Sequence, residues 1–483
     1  MERFRQLFPK GLPVGSDWVA DGVQWDDVLF PYDGSLVATA PVGTVEIAKR
    51  ALDSALKVQP TMAQLSGLRR RRVLQRVARC LEENRTQFEE LLVFESGKPL
   101  VDCRTEVDRA IFTWTASAEA VVQVHGETVP LDAQAGGEGL IGYWTRKPVG
   151  VVIGIAGFNY PLLLASHKIA PSIAAGCAVI CKPAPQTPLA TLWLAQLVRQ
   201  ALEEEDVSPA AVQVITGGPD TARTLTTDPR IGAVSFTGSA AVGHQIAKDC
   251  APKKALLELG SNAALVVADD ADLHAAANAA VRGGFYANGQ ACISVQRVIV
   301  DERVANEFVE ILLEAVKQVR TGDPRDENTQ VAALIDSSST KRVRNWIAQA
   351  VDAGAEVLAG GDNDGRAIRP TVLADVPQGV QAWDEEVFGP VIGIRRVADF
   401  DEAITVLNQS RYGLQASVFT KSLDKAFRAI NEFEVGGVVV NQVPGYRNDI
   451  MPYGGVKDSG IGREGPRFAV EELTVTRMAV IRP

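Results

Sequence analysis

Residues 151–165 read Val151-Val-Ile-Gly-Ile-Ala-Gly-Phe-Asn-Tyr-Pro-Leu-Leu-Leu-Ala165. A short β-branched run gives way to glycine and asparagine, and Pro161 then stands where the first turn of a helix tolerates proline, having no backbone hydrogen bond there to lose. Strand, turn and helix are therefore predicted in that order. The surrounding span, residues 148–167, carries no formal charge and has the length of a membrane helix. Gly150, Gly154, Gly157, Asn159 and Pro161 interrupt it, so a buried strand and a turn is the better reading.

The same alternation continues outward. Strand-like Val151–Ile155, Ala178–Cys181, Val212–Ile215 and Ala233–Phe236 are separated by helical patterns at Pro161–Ala175 and Leu189–Leu202, with another at Val242–Lys248. Such alternation predicts βαβ units on a parallel, doubly wound sheet of the nucleotide-binding kind. A second series follows Gly260, with strands at Ala264–Val267, Val295–Val300, Val391–Arg395, Ala416–Thr420 and Gly437–Val440 and helices such as Val304–Val319 and Leu423–Phe433. Two stretches fit neither series, Gly139–Arg146 and Thr474–Ile481, and both alternate polar with apolar residues. Edge strands this apolar want a partner, so they read as an oligomerisation flap. The expected α/β architecture is thus a Rossmann-like cofactor domain (residues 1–122 and 148–258), a catalytic domain of the same doubly wound kind (259–460) and a small β flap (123–147 and 474–483).

A chain of 483 residues is long enough for about two to four domains. Its formal charge of −10 argues against a nucleic-acid footprint, which needs clustered Lys and Arg. The one basic run, Arg69–Arg72, opens an amphipathic helix and reads as a solvated face. Met1-Glu2-Arg3-Phe4 leads into no apolar core of the kind a signal peptide needs, and no membrane span is expected. Six cysteines in so long a chain make no disulfide framework, which points to a reducing, cytoplasmic location. Four histidines without an H-x-x-x-H pair, and no C-x-x-C, make a zinc site of ordinary spacing unexpected.

Several short motifs carry chemistry. Gly460-Ile-Gly-Arg-Glu-Gly465 matches the dinucleotide pattern literally, yet no strand precedes it and too little chain follows, so it reads as a loop. Phe236-Thr-Gly-Ser239 ends a strand and opens a helix; Ser239 is either a helix cap or, with Gly238 and the helix amides, part of a phosphate site. Asn159 likewise either caps the helix at Pro161 or offers its amide to an oxyanion. Cys292 lies in Asn288-Gly-Gln-Ala-Cys292, where Gly289 allows an unusual turn and an exposed thiol can act; the other five cysteines read as small core residues. Glu258, in Leu256-Leu-Glu-Leu-Gly260, is either an outward strand residue, which alternation slightly favours, or a base at a strand's end.

Taken in order, Phe158-Asn-Tyr-Pro161, Lys182-Pro183, Phe236-Thr-Gly-Ser239, Glu258-Leu-Gly260, Gly289-Gln-x-Cys292, Glu386-Val-Phe-Gly-Pro390 and Pro452-Tyr-Gly-Gly455 resemble the aldehyde dehydrogenase superfamily across nearly the whole chain. Glu258 and Cys292 are 34 positions apart (292 minus 258), as in that family. The resemblance implies oxidation of an aldehyde to a carboxylic acid with NAD(P)+. Cys292 would attack the carbonyl, Asn159 and the Cys292 amide would hold the alkoxide, and Glu258 would activate water against the thioester. It assigns Lys182 to the adenine ribose, Ser239 to the pyrophosphate and Glu386 to the nicotinamide ribose beside Phe388. Ile155, Gly218, Phe236, Gly238, Val242 and Leu259 complete the implied cofactor contacts.

One position departs from the family's NAD-preferring pattern. Where many relatives carry a ribose-binding glutamate, this chain has Pro185. Removing a carboxylate removes repulsion against a 2′-phosphate while Lys182 remains to attract one, so the reading leans slightly to NADP+ with NAD+ open. Trp114, Phe158, Tyr160 and Phe285 resemble the substrate funnel, and Arg447 reads either as a surface arginine or as the partner of an anionic tail. The stretches Gly260-Ser-Asn262 and Arg447–Gly465 resemble the branch of lactaldehyde, phosphonoacetaldehyde and non-phosphorylating glyceraldehyde-3-phosphate dehydrogenases. A homodimer or homotetramer is implied. Two rivals stand beside this: an acylating, coenzyme A-dependent enzyme, which Glu258 opposes, and a catalytically silent scaffold that has kept the fold.

Overall fold

The computed structural model of the protein describes residues 11–362 and 365–483. Met1–Phe4, read as lacking a leader, and the start of the predicted first domain lie outside the described residues. Two parallel sheets dominate an α/β fold, as the alternation predicts. In the first, Val152–Ile155 lies between Val179–Lys182 and Ala233–Thr237; Val212–Val214 and Lys254–Glu258 extend the two sides, all parallel. The chain therefore leaves Val152–Ile155 in one direction and later returns on its other side. Such a switch point opens a crevice at the carboxyl ends of the strands, the usual ligand site of an open parallel sheet. Ile155 ends its strand beside it, and its register partner Phe236 stands one residue before the end of the neighbouring strand.

The outer edge of this sheet is closed from far along the chain. Gly460–Ile461 pairs antiparallel with Leu257–Glu258, so the glycine-rich stretch at 460–465 is an edge strand and the turn after it. The second sheet runs, in spatial order, Glu356–Ala359, Thr371–Ala374, Val391–Val397, Val295–Asp301, Ala263–Val267, Gln415–Phe419 and Gly437–Val440. Only its first pair is antiparallel. Ala264 and Val266 face one core while Leu265 and Val267 face another, because successive strand side chains point to opposite faces. Glu356–Ala359 and Thr371–Ala374 are strands the pattern did not mark; the former is half exposed and has no apolar run to announce it.

Burial orders the helices around these sheets. Pro161–Ala175 is buried along its whole length, with Pro161 at its first turn and Gly176 closing it in the left-handed conformation. At about 1.5–3 kcal/mol per buried aliphatic side chain, packing rather than propensity holds it. Its amino end is fixed by Glu106 of the helix Leu100–Ala120, whose carboxylate accepts from Leu162 N at 2.9 Å and Leu163 N at 3.1 Å. Glu95 does the same for Leu189 and Ala190 at the head of the next helix. The basic run Arg69–Arg72 opens the helix Gly67–Glu83, where Arg70 Nη1 donates to the Ala174 carbonyl.

Ile141–Pro148 and Thr474–Ile481 pair antiparallel along their full length, with Thr128–Val129 as a third strand. Ile141, Tyr143, Val475, Met478, Val480 and Ile481 are exposed on this small sheet. Among the described residues no helix is long and apolar enough to cross a membrane, and no group of three or more His, Cys, Asp or Glu is placed to hold a metal ion.

Candidate active site

The crevice deepens into a cavity of about 620 Å³ where the two sheets meet, and Asn159, Glu258 and Cys292 all line it. Each arrives from a different element. Asn159 sits in the turn after Val152–Ile155, Glu258 ends the strand Lys254–Glu258, and Cys292 follows the helix Leu273–Phe285. Asn159 does not cap the next helix, whose cap position is Tyr160 without a side-chain bond. Instead its Nδ2 donates to the Gln290 carbonyl at 2.8 Å. One amide hydrogen thus tethers the cysteine loop and the second remains to serve the cavity.

That loop is unusual. Ala287, Asn288 and Gly289 are all left-handed, with φ of 49°, 62° and 70°. Non-glycine residues there cost about 1–2 kcal/mol each, and buried hydrogen bonds offset it. Asn288 Nδ2 donates to the carbonyls of Ala333 (2.9 Å) and Gly97 (3.2 Å), its Oδ1 accepts from Ala332 N (2.7 Å), and Asp102 accepts from Ala287 N (2.8 Å). Gly289 is required besides: a Cβ on it would stand 2.2 Å from the Gly389 carbonyl oxygen. The glycine of one sequence motif is thereby fitted against the glycine of another.

Cys292 is partly exposed, whereas the other five cysteines are buried. Its Sγ lies 3.3 Å from the Tyr453 hydroxyl. Burial pushes its thiol up to about 11, with the Tyr453 bond working in the opposite direction. Glu258 is buried rather than outward, correcting the expectation from alternation. Its neighbour in register, Thr237, and the edge strand at Gly460 enclose it. Oε2 has no hydrogen-bond partner among the described residues, and burial followed by the nearby Glu464 charge raises its carboxyl well above the ordinary range. A carboxyl so placed gains by taking a proton.

Behind Glu258 lies a buried ionic cluster. Lys168 pairs with Glu464; Arg447 reaches Glu464 at 3.1 Å and Asp449 at 3.2 Å; Arg109 grips Asp449 with two bonds of 2.8 and 2.9 Å; His167 Nε2 is 3.2 Å from Asp449. Although burial opposes ionisation, Lys168, His167 and Arg447 hold Glu464 well below the usual carboxylate range, and the bonds from His167 and Arg109 do the same for Asp449. Arg447 is 7% exposed, so the surface reading fails for it; its guanidinium stacks 3.7 Å above the Tyr453 ring.

At the other end of the cavity stand residues named for the cofactor. Gly238, Ser239, Leu259, Glu386 and Phe388 line it. Ser239 is the cap residue of the helix Ala240–Cys250, yet its hydroxyl makes no capping bond. Glu386 accepts from Ser261 N at 3.0 Å, and its carboxyl is pushed up to about 7 by burial despite that bond. A Cβ on Gly260 would meet Glu386 Oε2 at 2.6 Å, so a larger residue there would displace the Glu386 carboxylate. Phe388 meets Phe158 edge to face at 5.7 Å. Ile155 and Lys182 end strands of the first sheet and Phe236 stands one residue before the end of another; Pro185 follows Lys182, Gly218 follows Val212–Val214, and Val242 is in the first turn of Ala240–Cys250. These six stand outside the lining of the deep cavity.

Phe158 and Tyr160 line the cavity, but Trp114 and Phe285 do not. Trp114 is wholly buried, its Nε1 donating to Ser166 Oγ at 3.0 Å. On its helix Asp102, Thr105 and Arg109 form the cavity face; five positions beyond Arg109, Trp114 is rotated by about 140°. Phe285 packs into the core against the second sheet while Arg282, Gly283 and Tyr286 face the cavity. Sequence reasoning missed Arg109, His167, Asp449, Glu464 and any role for Tyr453. Helical periodicity from Asp102 would have reached Arg109; the others come together only through tertiary contacts, His167 and Asp449 being 282 positions apart.

Comparison with known proteins agrees with this fold. Residues 18–479 match the aldehyde dehydrogenase family. The 3-sulfolactaldehyde dehydrogenase of Priestia aryabhattai is 38% identical over 482 residues, covering 100% of both chains. Aldehyde dehydrogenase 21 of Physcomitrella patens, solved in complex with the reaction product succinate, superposes with a TM-score of 0.94 at 38% identity over 98% of each chain. Glyceraldehyde-3-phosphate dehydrogenase GapN of Methanocaldococcus jannaschii, solved with NADP, gives 0.92 at 35% identity over 95% of this chain and 100% of that one. With the likeness running from end to end and the same branch returned, the chain belongs to the aldehyde dehydrogenase family and is an NAD(P)-dependent aldehyde dehydrogenase.

Proposed function

We propose that Cys292 is the nucleophile, Asn159 the oxyanion donor and Glu258 the general base of a hydrolytic aldehyde dehydrogenase whose substrate carries an anionic tail. The observation that carries this is the convergence of the three side chains, from two sheets, on one cavity. Cys292 Sγ bonds to the aldehyde carbon, and the alkoxide is held by the free Asn159 amide hydrogen and the Cys292 backbone N–H. NAD(P)+, when bound, accepts hydride from that carbon. A thioester on Cys292 results. Glu258 then takes a proton from water, hydroxide adds to the thioester carbonyl, and the carboxylic acid leaves as Cys292 is restored.

The crevice fits a dinucleotide. Lys182 is buried at the carboxyl edge of the sheet without an ion pair among the described residues, its ammonium pushed down to about 8 by that burial. Among the described residues Thr237 Oγ1 is buried without a hydrogen-bond partner, and Gly218 is open, with nothing within 4 Å of where a Cβ would stand. Lys182 would meet the adenine ribose, Ser239 and the helix amides the pyrophosphate, and Glu386 the nicotinamide ribose. Exposed Pro185 puts no carboxylate beside Lys182, which favours NADP+.

For the tail, three basic side chains of the buried cluster, Arg109, Lys168 and Arg447, face two carboxylates, Asp449 and Glu464. With Glu258 in its neutral form, one positive charge (three minus two) is left over near the cavity wall. The relatives named above act on or release a sulfonate, a phosphate or a carboxylate. We also assign the chain to a homo-oligomer in a reducing, cytoplasmic setting. The flap carries its row of exposed apolar residues, and Leu423, Phe427 and Ile430 make a second exposed stripe at 76%, 62% and 51%. A panel of sulfonated, phosphorylated, carboxylated and neutral short aldehydes, run with NAD+ and NADP+, tests substrate and cofactor together. Full turnover by Cys292→Ala would sink the mechanism, and a monomer in sedimentation the assembly.

A further inference from the structure

The ring of Tyr453 fills the space between Cys292 and Arg447, and phenylalanine would fill that space as well. What phenylalanine lacks is the hydroxyl, which is buried 3.3 Å from Cys292 Sγ with no other hydrogen-bond partner among the described residues. We propose that Tyr453 donates this bond to the Cys292 thiolate of the free enzyme, and that Arg447, stacked on the ring, strengthens the donor. The inference rests on the reading of Cys292 as nucleophile and deepens it.

The direction of the bond follows from the surroundings. Either atom can donate while Cys292 is a thiol, but burial raises the phenol well above its ordinary range, so once Cys292 ionises the proton stays on oxygen and sulfur accepts. A guanidinium 3.7 Å from the ring centroid draws electron density from the phenol and polarises its O–H bond. The other groups facing the sulfur are Glu258, Glu386, Tyr286 and Arg447. The two carboxyl groups disfavour a thiolate, as does burial; Tyr453 and Arg447 favour it. Holding the anion by a hydrogen bond leaves its charge on sulfur and in the cavity, where an incoming carbonyl meets it. Tyr453 is itself placed by a backbone bridge, donating to Glu464 O at 3.1 Å and accepting from Glu464 N at 2.6 Å. The cluster behind Glu258 and the nucleophile's partner are thereby fixed as one unit.

The test is the pH dependence of Cys292 alkylation by iodoacetamide in the enzyme without cofactor, followed by mass spectrometry. Tyr453→Phe moves the midpoint upward by about one unit, the shift one hydrogen bond to an ionised group corresponds to, and leaves the high-pH plateau unchanged. Its kcat/KM, reduced about tenfold below that midpoint, recovers as pH is raised. A fluorinated tyrosine introduced at position 453 keeps the shape, sharpens the donor and moves the midpoint downward. An unmoved midpoint in either folded variant overturns the proposal. The catalytic reading fails separately, by turnover in Cys292→Ala, because alkylation reports the Tyr453 bond whatever Cys292 does in the reaction.

Discussion

Gly289 and Gly389, one hundred positions apart, touch backbone to backbone beside the nucleophile's loop, so closely that a single added carbon would stand 2.2 Å from the Gly389 oxygen. Gly289 is also left-handed, at φ +70°. Gly289→Ala therefore meets both a steric and a conformational obstacle, and the loop must shift by a fraction of an ångström or more. Displacing reacting groups on that scale costs about 100-fold in rate. The expected outcome is a kcat/KM down by about that factor with cofactor affinity unchanged, measured by steady-state kinetics and cofactor titration. Near-wild-type kcat/KM would show that the contact does not position Cys292.

Glu258 works only after losing a proton its surroundings favour. In the wild type, deacylation is expected to rise with pH through the raised carboxyl pKa, since burial and Glu464 stabilise the neutral form. Glu258→Gln removes the base and leaves the cysteine, so rapid mixing should give one burst of reduced cofactor per site and then turnover slowed about 10²- to 10⁴-fold. The rise with pH should vanish as well. A variant with no burst and a slow first turnover would move Glu258 from deacylation to the earlier step.

These two residues mark what the sequence makes legible. Gly289 was readable because a glycine before a reactive cysteine signals a turn, and the strands and helices flanking the site follow hydrophobic period, as Pro161–Ala175 does. The role of Glu258 was readable from the family motif but its burial was not, because alternation along Leu256–Gly260 says nothing of the edge strand at Gly460 that covers it. Trp114 was misplaced for a related reason: an aromatic residue near a funnel attracts attention, yet helix phase puts Arg109 on the cavity and Trp114 in the core. Asp449 and Glu464 acquire meaning only when the fold brings His167, Lys168 and Arg109 to them.

Glu386 links cofactor binding to stability. Its carboxyl lies at about 7 in the folded chain against an ordinary 4.5, chiefly through burial. Between those values the folded protein holds a proton the unfolded chain has released, so its contribution to stability falls as pH rises across that window. Glu386→Gln keeps the acceptor for Ser261 N and removes the titration. Raising the pH from about 5 to about 8 should then lower the variant's Tm by roughly 2–4 °C less than the wild type's, while KM for the cofactor increases. Parallel Tm curves for the two proteins would mean that the carboxyl stays ionised throughout.

Arg109 separates charge recognition from catalysis. It lines the cavity, grips Asp449 and is remote in sequence from the three reacting side chains. Arg109→Gln removes the one positive charge by which the cluster exceeds its carboxylates, and Arg447 and His167 still face Asp449, so that carboxylate keeps partners. A charge-assisted bond to the tail is worth about 1.5–3 kcal/mol, so kcat/KM for the preferred anionic aldehyde should drop about 10- to 100-fold. For a neutral aldehyde of the same length the change should stay within about threefold, because uniform damage to the site would lower both. Comparing the two ratios in one preparation decides the matter: equal losses would make Arg109 a structural support of Asp449 and leave tail recognition to another side chain of the cavity.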